Sequence, residues 1–173
     1  MAIIEPLSRQ PSEAIESLLD IAFGTDRHGR TAYTIRRGMR PMEELGYAAR
    51  GEDGTLRGLI QSWPVALHED GTGREIPLIM VGPVAVRPEW QHMGYGRAMM
   101  DRLVADADRF ATAPLMMIGD PEYYQRFWNF TAAATAGWRA PGPVEQRRLL
   151  ARAVPGAPEP DPETKGLLGP RTA

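Results

Sequence analysis

The chain has 173 residues, 43% hydrophobic and 24% charged, enough to bury about 70% of its unfolded surface around one core without staples. Twenty Lys plus Arg against 22 Asp plus Glu give a net charge of −2; the basic surplus of a general nucleic-acid binder is missing, and no nucleic-acid partner is expected. With no cysteine there is no disulfide framework, no Cys-based zinc site and no thiol nucleophile, and the three histidines, His28, His68 and His92, lack helical ligand spacing, so no metal site is expected.

Met1-Ala2-Ile3-Ile4-Glu5-Pro6 has no basic stretch followed by an apolar run, so no signal peptide is expected. No segment nears the ~20 consecutive apolar residues of a membrane helix. The cytoplasm is the expected compartment, and no membrane partner is expected.

Ile3 and Ile4 predict a short strand before Pro6. Ser12 is the expected N-cap of a helix with Ile15, Leu18, Leu19 and Ala22 on one face and Gly24 at its end. Residues 25–39 are polar and basic and are expected to contain a second short helix. Residues 46–50 and 56–63 read as strands joined by a turn at 51–54. A second turn at 69–73 leads into 76–86, the most apolar segment. Its near-continuous apolar run implies a strand covered on both faces. Gly82-Pro83 breaks it and predicts a kink that leaves backbone groups unpaired.

From 94 to 110 the period changes to that of an amphipathic helix, with Met100, Leu103, Ala107 and Phe110 on one face. Residues 115–118 read as a short buried strand. Asp120 and Pro121 then open another helix as N-cap and first helical residue. Strand, helix and strand between 76 and 118 imply a parallel pair with a right-handed crossover. Residues 131–135 and 148–152 are further strand candidates.

Residues 155–173 hold five of the 16 prolines, Pro155, Pro158, Pro160, Pro162 and Pro170, with three glycines. That composition predicts an extended tail. It is either flexible or packs Leu167-Leu168 on its own domain or on the second subunit of a homodimer. The expected organisation is one α/β domain over 1–153, a mixed sheet with antiparallel N-terminal strands and a parallel pair, flanked by helices. A Pro/Gly-rich tail over 154–173 follows it.

Between the apolar strand and the amphipathic helix lies Gln91-His92-Met93-Gly94-Tyr95-Gly96-Arg97. A glycine-containing loop at a helix N-terminus points free amide donors in one direction, where the helix dipole adds about half a positive charge. Such a nest suits a pyrophosphate, and Arg97 could add a charge-assisted contact. A nucleotide-hydrolysing P-loop would end in Gly-Lys-Ser/Thr, but Gly96 is followed by Arg97-Ala98. A dinucleotide fingerprint needs a small third residue, where this chain has Met99.

The remaining pattern, Gln/Arg-x-x-Gly-x-Gly/Ala after a bulged apolar strand, resembles the GNAT acyltransferase superfamily. The likeness extends from Val81-Gly82-Pro83-Val84-Ala85-Val86 through the loop to Gly119-Asp120-Pro121-Glu122-Tyr123-Tyr124 and Ala136-Gly137-Trp138, the latter two similar to an uncharacterised bacterial subgroup of predicted N-acetyltransferases. The resemblance implies acetyl-CoA as acyl donor, without a metal. It implies that the parallel strands splay apart around the cofactor. Strand backbone at Val84, Ala85 and Val86 would pair with the pantetheine arm, and Gln91, His92, Met93, Gly94, Tyr95, Gly96 and Arg97 would cradle the pyrophosphate. An amide freed near Val84 would polarise the thioester carbonyl. Tyr124, with Tyr123 as second choice, would protonate the departing sulfur.

Full proton transfer from an ordinary phenol, pKa ~10, to a thiolate, ~8.5, is uphill by about 2 kcal/mol. Tyr124 therefore either has a lowered pKa or chiefly donates a hydrogen bond. The family's usual glycine after this helix is Asn129 here, the residue that best replaces glycine at a left-handed helix end.

The implied reaction is direct acetyl transfer to a primary amine of a small molecule or peptide. Without cysteine, a covalent acyl-thioenzyme is excluded. The alternative is a non-catalytic acyl-CoA-binding or regulatory module. Glu75, Glu89, Asp120, His68 and His92 are candidate bases, none assigned. Arginines between Arg27 and Arg37 form either a solvated helix face or a site for an acidic acceptor or the CoA 3′-phosphate.

Overall fold

The computed structural model describes residues 2–172; Met1 and Ala173, the outer ends of the two expected segments, lie outside them. In chain order the elements are β1 (Ile3–Pro6), α1 (Ser12–Phe23), α2 (Thr31–Ile35), β2 (Tyr47–Arg50), β3 (Leu56–Glu69), β4 (Glu75–Val86), α3 (Tyr95–Phe110), β5 (Leu115–Ile118), α4 (Pro121–Trp128), β6 (Trp138–Arg139), β7 (Leu149–Arg152) and β8 (Gly166–Pro170). The strands form one mixed sheet with the path β1-β2-β3-β4-β5-β7. Along that path only β4 and β5 run parallel, joined through α3 as expected. No helix among the described residues is long and apolar enough to cross a membrane.

β4 explains its own composition. Ile79 and Val81 pack with Met99, Met100 and Leu103 of α3 on one face. Leu78 and Met80 pack with Ile35 of α2, Met116 and Trp138 on the other. A strand buried on both sides has no polar positions to alternate. Leu18 and Leu19 of α1 close a third apolar cluster with Ala48, Leu59 and Ala85.

Four expectations are corrected. Pro11, not Ser12, is the N-cap of α1; its carbonyl accepts from the amides of Ala14 and Ile15 at 3.1 and 3.2 Å. Phe110 is 41% exposed, so the apolar face of α3 ends at Ala107. β3 continues beyond Trp63 through Pro64 to Glu69. On the edge away from β4, β2 pairs with 56–60 and β8 with 65–69, so Pro64 falls in the gap where no partner needs its missing amide. Residues 131–135 form only one bridge, Thr131 to Ala151, before turning.

The C-terminal segment is extended and ordered, with Leu168 1% exposed. β8 pairs antiparallel with 65–69 of β3 and parallel with β6. Its glycines serve close packing: a β-carbon at Gly166 would lie 2.5 Å from the His68 carbonyl oxygen.

Beneath α3, the Tyr47 hydroxyl donates to Asp106, which also accepts from Arg102 Nε at 3.0 Å and Arg109 at 3.2 Å. Burial pushes the Asp106 carboxyl up, but the bonds from Tyr47 and Arg102 outweigh it and hold it below its ordinary value. A depressed carboxyl stabilises the fold above its unfolded pKa and loses that contribution as pH falls through its folded value. Asp106→Asn is therefore expected to cost about 2 kcal/mol at pH 7, shrinking towards zero in strong acid. Chemical denaturation at pH 7 and pH 3 checks both halves.

Candidate active site

The site begins where β4 breaks. Ile60 pairs with Val84 and Ser62 with Val81, so Gln61 alone opposes Gly82 and Pro83, the bulge expected at that dipeptide. Gly82 adopts φ +132°, which favours glycine. Its carbonyl turns out of the ladder to accept from Trp63 Nε1 at 2.8 Å and from Arg36 at 3.4 Å.

Beyond the bulge one edge of β4 is open. Pairing with β5 covers only Ile79–Leu115 and Met80–Met116, after which the strands part. On the other edge the Arg87 amide donates to the Arg57 carbonyl at 2.8 Å. Alternation in an antiparallel ladder makes Leu59–Ala85 the next bonded pair and aims the polar groups of Val84 and Val86 at the gap.

The loop lies beside that gap. Gly94 is the N-cap of α3 with φ +86° and ψ 6°, and His92 also has positive φ, +65°. Among the described residues the backbone amides from His92 to Arg97 have no acceptor; the first turn closes with Ala98 donating to the Gly94 carbonyl. Residues 91–94 and Arg97 are exposed. A β-carbon on Gly96 would meet only Val84 Cγ1, at 3.9 Å, which places the loop against the open strand. The cluster of free amides at a helix N-terminus fits a diphosphate.

Arg57 braces the loop from β3. Its guanidinium lies 3.6 Å from the Trp90 ring centroid and donates to the Tyr95 hydroxyl at 2.7 Å, so it ties both flanks of 91–94 together. Nothing in local sequence marks this role, because its partners lie more than 30 residues downstream.

α4 starts as expected, with Asp120 Oδ1 accepting from the Glu122 amide at 3.1 Å and Pro121 in the first turn. It ends at Asn129 with φ 59° and ψ 33°, so the left-handed turn survives without glycine. Tyr124 is partly buried, and a β-carbon on Gly119 would be 2.7 Å from its Cδ2. Gly119 directly follows β5, so the Tyr124 ring sits at the open end of the β4/β5 gap. Tyr123 is 37% exposed and packs edge-on against Phe127 and Trp128. Arg97 stacks on Phe127 at 4.2 Å and joins the loop to this helix. Burial, aided by the neighbouring Tyr123, pushes the Tyr124 phenol above its ordinary pKa. That direction favours a hydrogen-bond donor over a phenol of lowered pKa.

Of the two alternatives for the stretch from Arg27 to Arg37, the solvated face does not hold for two of its arginines, which are buried: Arg27 is 3% exposed and Arg36 5%. Arg27 pairs with Glu16 and with Asp20. Arg36 lies between the rings of Tyr33 and Trp63, 4.0 Å from each centroid. Of the candidate bases, Glu75 accepts from Thr172 and His68 contacts the Pro170 carbonyl at 2.9 Å, so both engage the C-terminal segment. Asp120 caps α4, and Glu89 lies 3.7 Å from Arg87. His92 lies in the loop itself.

Residues 13–126 match the family model for the acetyltransferase (GNAT) family. The chain is 26% identical over 120 residues to the uncharacterized N-acetyltransferase YhbS of Escherichia coli K12, a match covering 69% of this chain and 68% of that protein. The crystal structure of E. coli YhbS in complex with CoA superposes with a TM-score of 0.72 at 22% identity, covering 98% of this chain and 89% of that one. A GNAT family acetyltransferase from Brucella melitensis in complex with acetyl-CoA gives a TM-score of 0.53 at 22% identity, over 90% of this chain and 97% of that one.

Proposed function

The chain belongs to the acetyltransferase (GNAT) family, and on that premise we propose that it transfers an acetyl group from acetyl-CoA directly to a primary amine in a ternary complex. The run of unpaired amides from His92 to Arg97, set against an unpaired strand edge, carries this reading. Gln91, His92, Met93, Gly94, Tyr95 and Gly96 form the diphosphate cradle, and the Arg97 guanidinium adds a charge-assisted contact. Val84 and Val86, with Ala85 between them, offer main-chain groups to the pantetheine arm. The amide freed near Val84 polarises the carbonyl at the reacting carbon.

Tyr124 completes the site. As the amine nitrogen bonds to the carbonyl carbon and the carbon–sulfur bond breaks, its phenol donates a hydrogen bond to the departing sulfur. The amine's surplus proton passes to water. A phenol held above its ordinary pKa keeps its proton throughout the neutral range, which suits a donor rather than a base. Tyr123 is the second position for this role. The acceptor is a small-molecule or peptide amine.

The rival reading, a non-catalytic acyl-CoA-binding or regulatory module, would be favoured by a spoiled turn at Asn129 and by the lack of an assigned base; Asn129 holds the left-handed turn. Thiol release from acetyl-CoA over a panel of primary amines separates the readings. Release is expected to depend on the amine, with intersecting double-reciprocal plots, since the chain has no cysteine to carry the acetyl group. Parallel plots with self-acetylation would contradict direct transfer. CoA binding without release from any amine would favour the module.

A further inference from the structure

Next to the bulge is a cleft of about 260 Å³ whose lining includes Glu16, Arg27, Tyr33, Arg36, Gln61 and Trp63. Its charges do not balance. Glu16 and Asp20 are both engaged with Arg27. Arg36 has no carboxylate within ion-pairing distance among the described residues. Burial pushes its guanidinium pKa down to about 10, outweighing the favourable influence of Tyr33 and the more distant Glu16. Two aromatic rings cover its faces, Tyr33 also engages it by a side-chain hydrogen bond, and its bond to the Gly82 carbonyl is long at 3.4 Å. What remains is the in-plane edge of N–H donors, the geometry that binds a carboxylate.

Gln61 supplies the complement. It is 6% exposed, lines the same cleft, and its Oε1 has no hydrogen-bond partner. An unsatisfied buried acceptor calls for an N–H donor. Gln61 is also the residue opposite Gly82-Pro83, so that donor would lie beside the bulge.

We propose that the acceptor is a small amine that also bears a carboxylate, with Arg36 gripping the carboxylate edge-on and Gln61 Oε1 accepting from the amine. The inference rests on the reading of the bulge as the place of acetyl transfer. The cleft is slightly below the roughly 300–1,000 Å³ of drug-sized ligand sites, which suits an acceptor of amino-acid size. Held in this way, the amine sits beside the kinked strand.

The test is calorimetric binding of ω-amino acids of three to six carbons, each paired with its carboxamide, to the full chain with CoA present. At least one acid is expected to bind about tenfold or more tightly than its carboxamide, as a charge-assisted pair requires. Arg36→Met should abolish that preference and Arg36→Lys should keep part of it, with CoA affinity unchanged in both. Equal binding of acid and carboxamide by the unaltered protein, or no binding of any acid, overturns the proposal without reference to any variant's folding. Thiol release is scored separately: release from amines without preference for acids defeats this inference alone, whereas no release from any amine defeats the reading of the enzyme.

Discussion

Tyr124→Phe is expected to lower the turnover of acetyl transfer about 100-fold or more while CoA affinity stays unchanged, because the donor acts on the sulfur only as it leaves. The variant keeps the ring that fills the space above Gly119 and loses only the hydroxyl, for which no partner exists among the described residues. The pH profile gives an independent readout. The active form is the protonated phenol, and its pKa is raised. Activity of the unaltered enzyme is therefore expected to fall in an alkaline limb that lies above the ordinary phenol range. Phenylalanine should remove that limb. If Tyr124→Phe turned over normally and Tyr123→Phe did not, the donor would be the neighbouring residue.

Gly94→Val should act on binding instead. Gly94 holds φ +86°, and a β-carbon there would meet nothing within 4 Å. The whole cost is thus in the backbone, about 1–2 kcal/mol for a side chain in this region and more for a β-branched one. The loop can escape that strain only by re-aiming its amides, so CoA affinity should fall about 30-fold while turnover at saturation changes little. Gly54→Val is the matched control. It also has positive φ, +84°, and open space, but it lies in the turn before β3. Equal loss of CoA affinity in both variants would mean that general destabilisation, not the loop, is responsible.

What could be read from the chain alone was whatever is written locally. The loop, the bulge at Gly82-Pro83, the cap at Asp120 and the left-handed Asn129 each depend on two or three adjacent residues. Long-range pairing was less legible. Proline and glycine in 155–173 suggest a tail, yet Leu168 buried beside a 40%-exposed Leu167 is the alternation of a strand, and Gly166 is small because the His68 carbonyl is close. Such a strand shows only when its partner is known. Arg36 illustrates the same limit in the candidate site. Arginine in a polar stretch leaves a solvated face and a binding site both open, and its burial depends on Trp63, which is distant in sequence. Ser12 failed for a local reason, since Pro11 already has the extended backbone an N-cap requires, at ψ 145°.

The claim on which the rest depends is that the free amides of His92 to Arg97 hold the diphosphate of CoA. At 19.1 kDa the protein suits amide nuclear magnetic resonance, in which CoA is titrated into ¹⁵N-labelled chain. The largest shifts are expected on Gly94, Tyr95, Gly96 and Arg97, with smaller ones along Val84 and Val86. Shifts that leave these amides in place and gather elsewhere would contradict that claim.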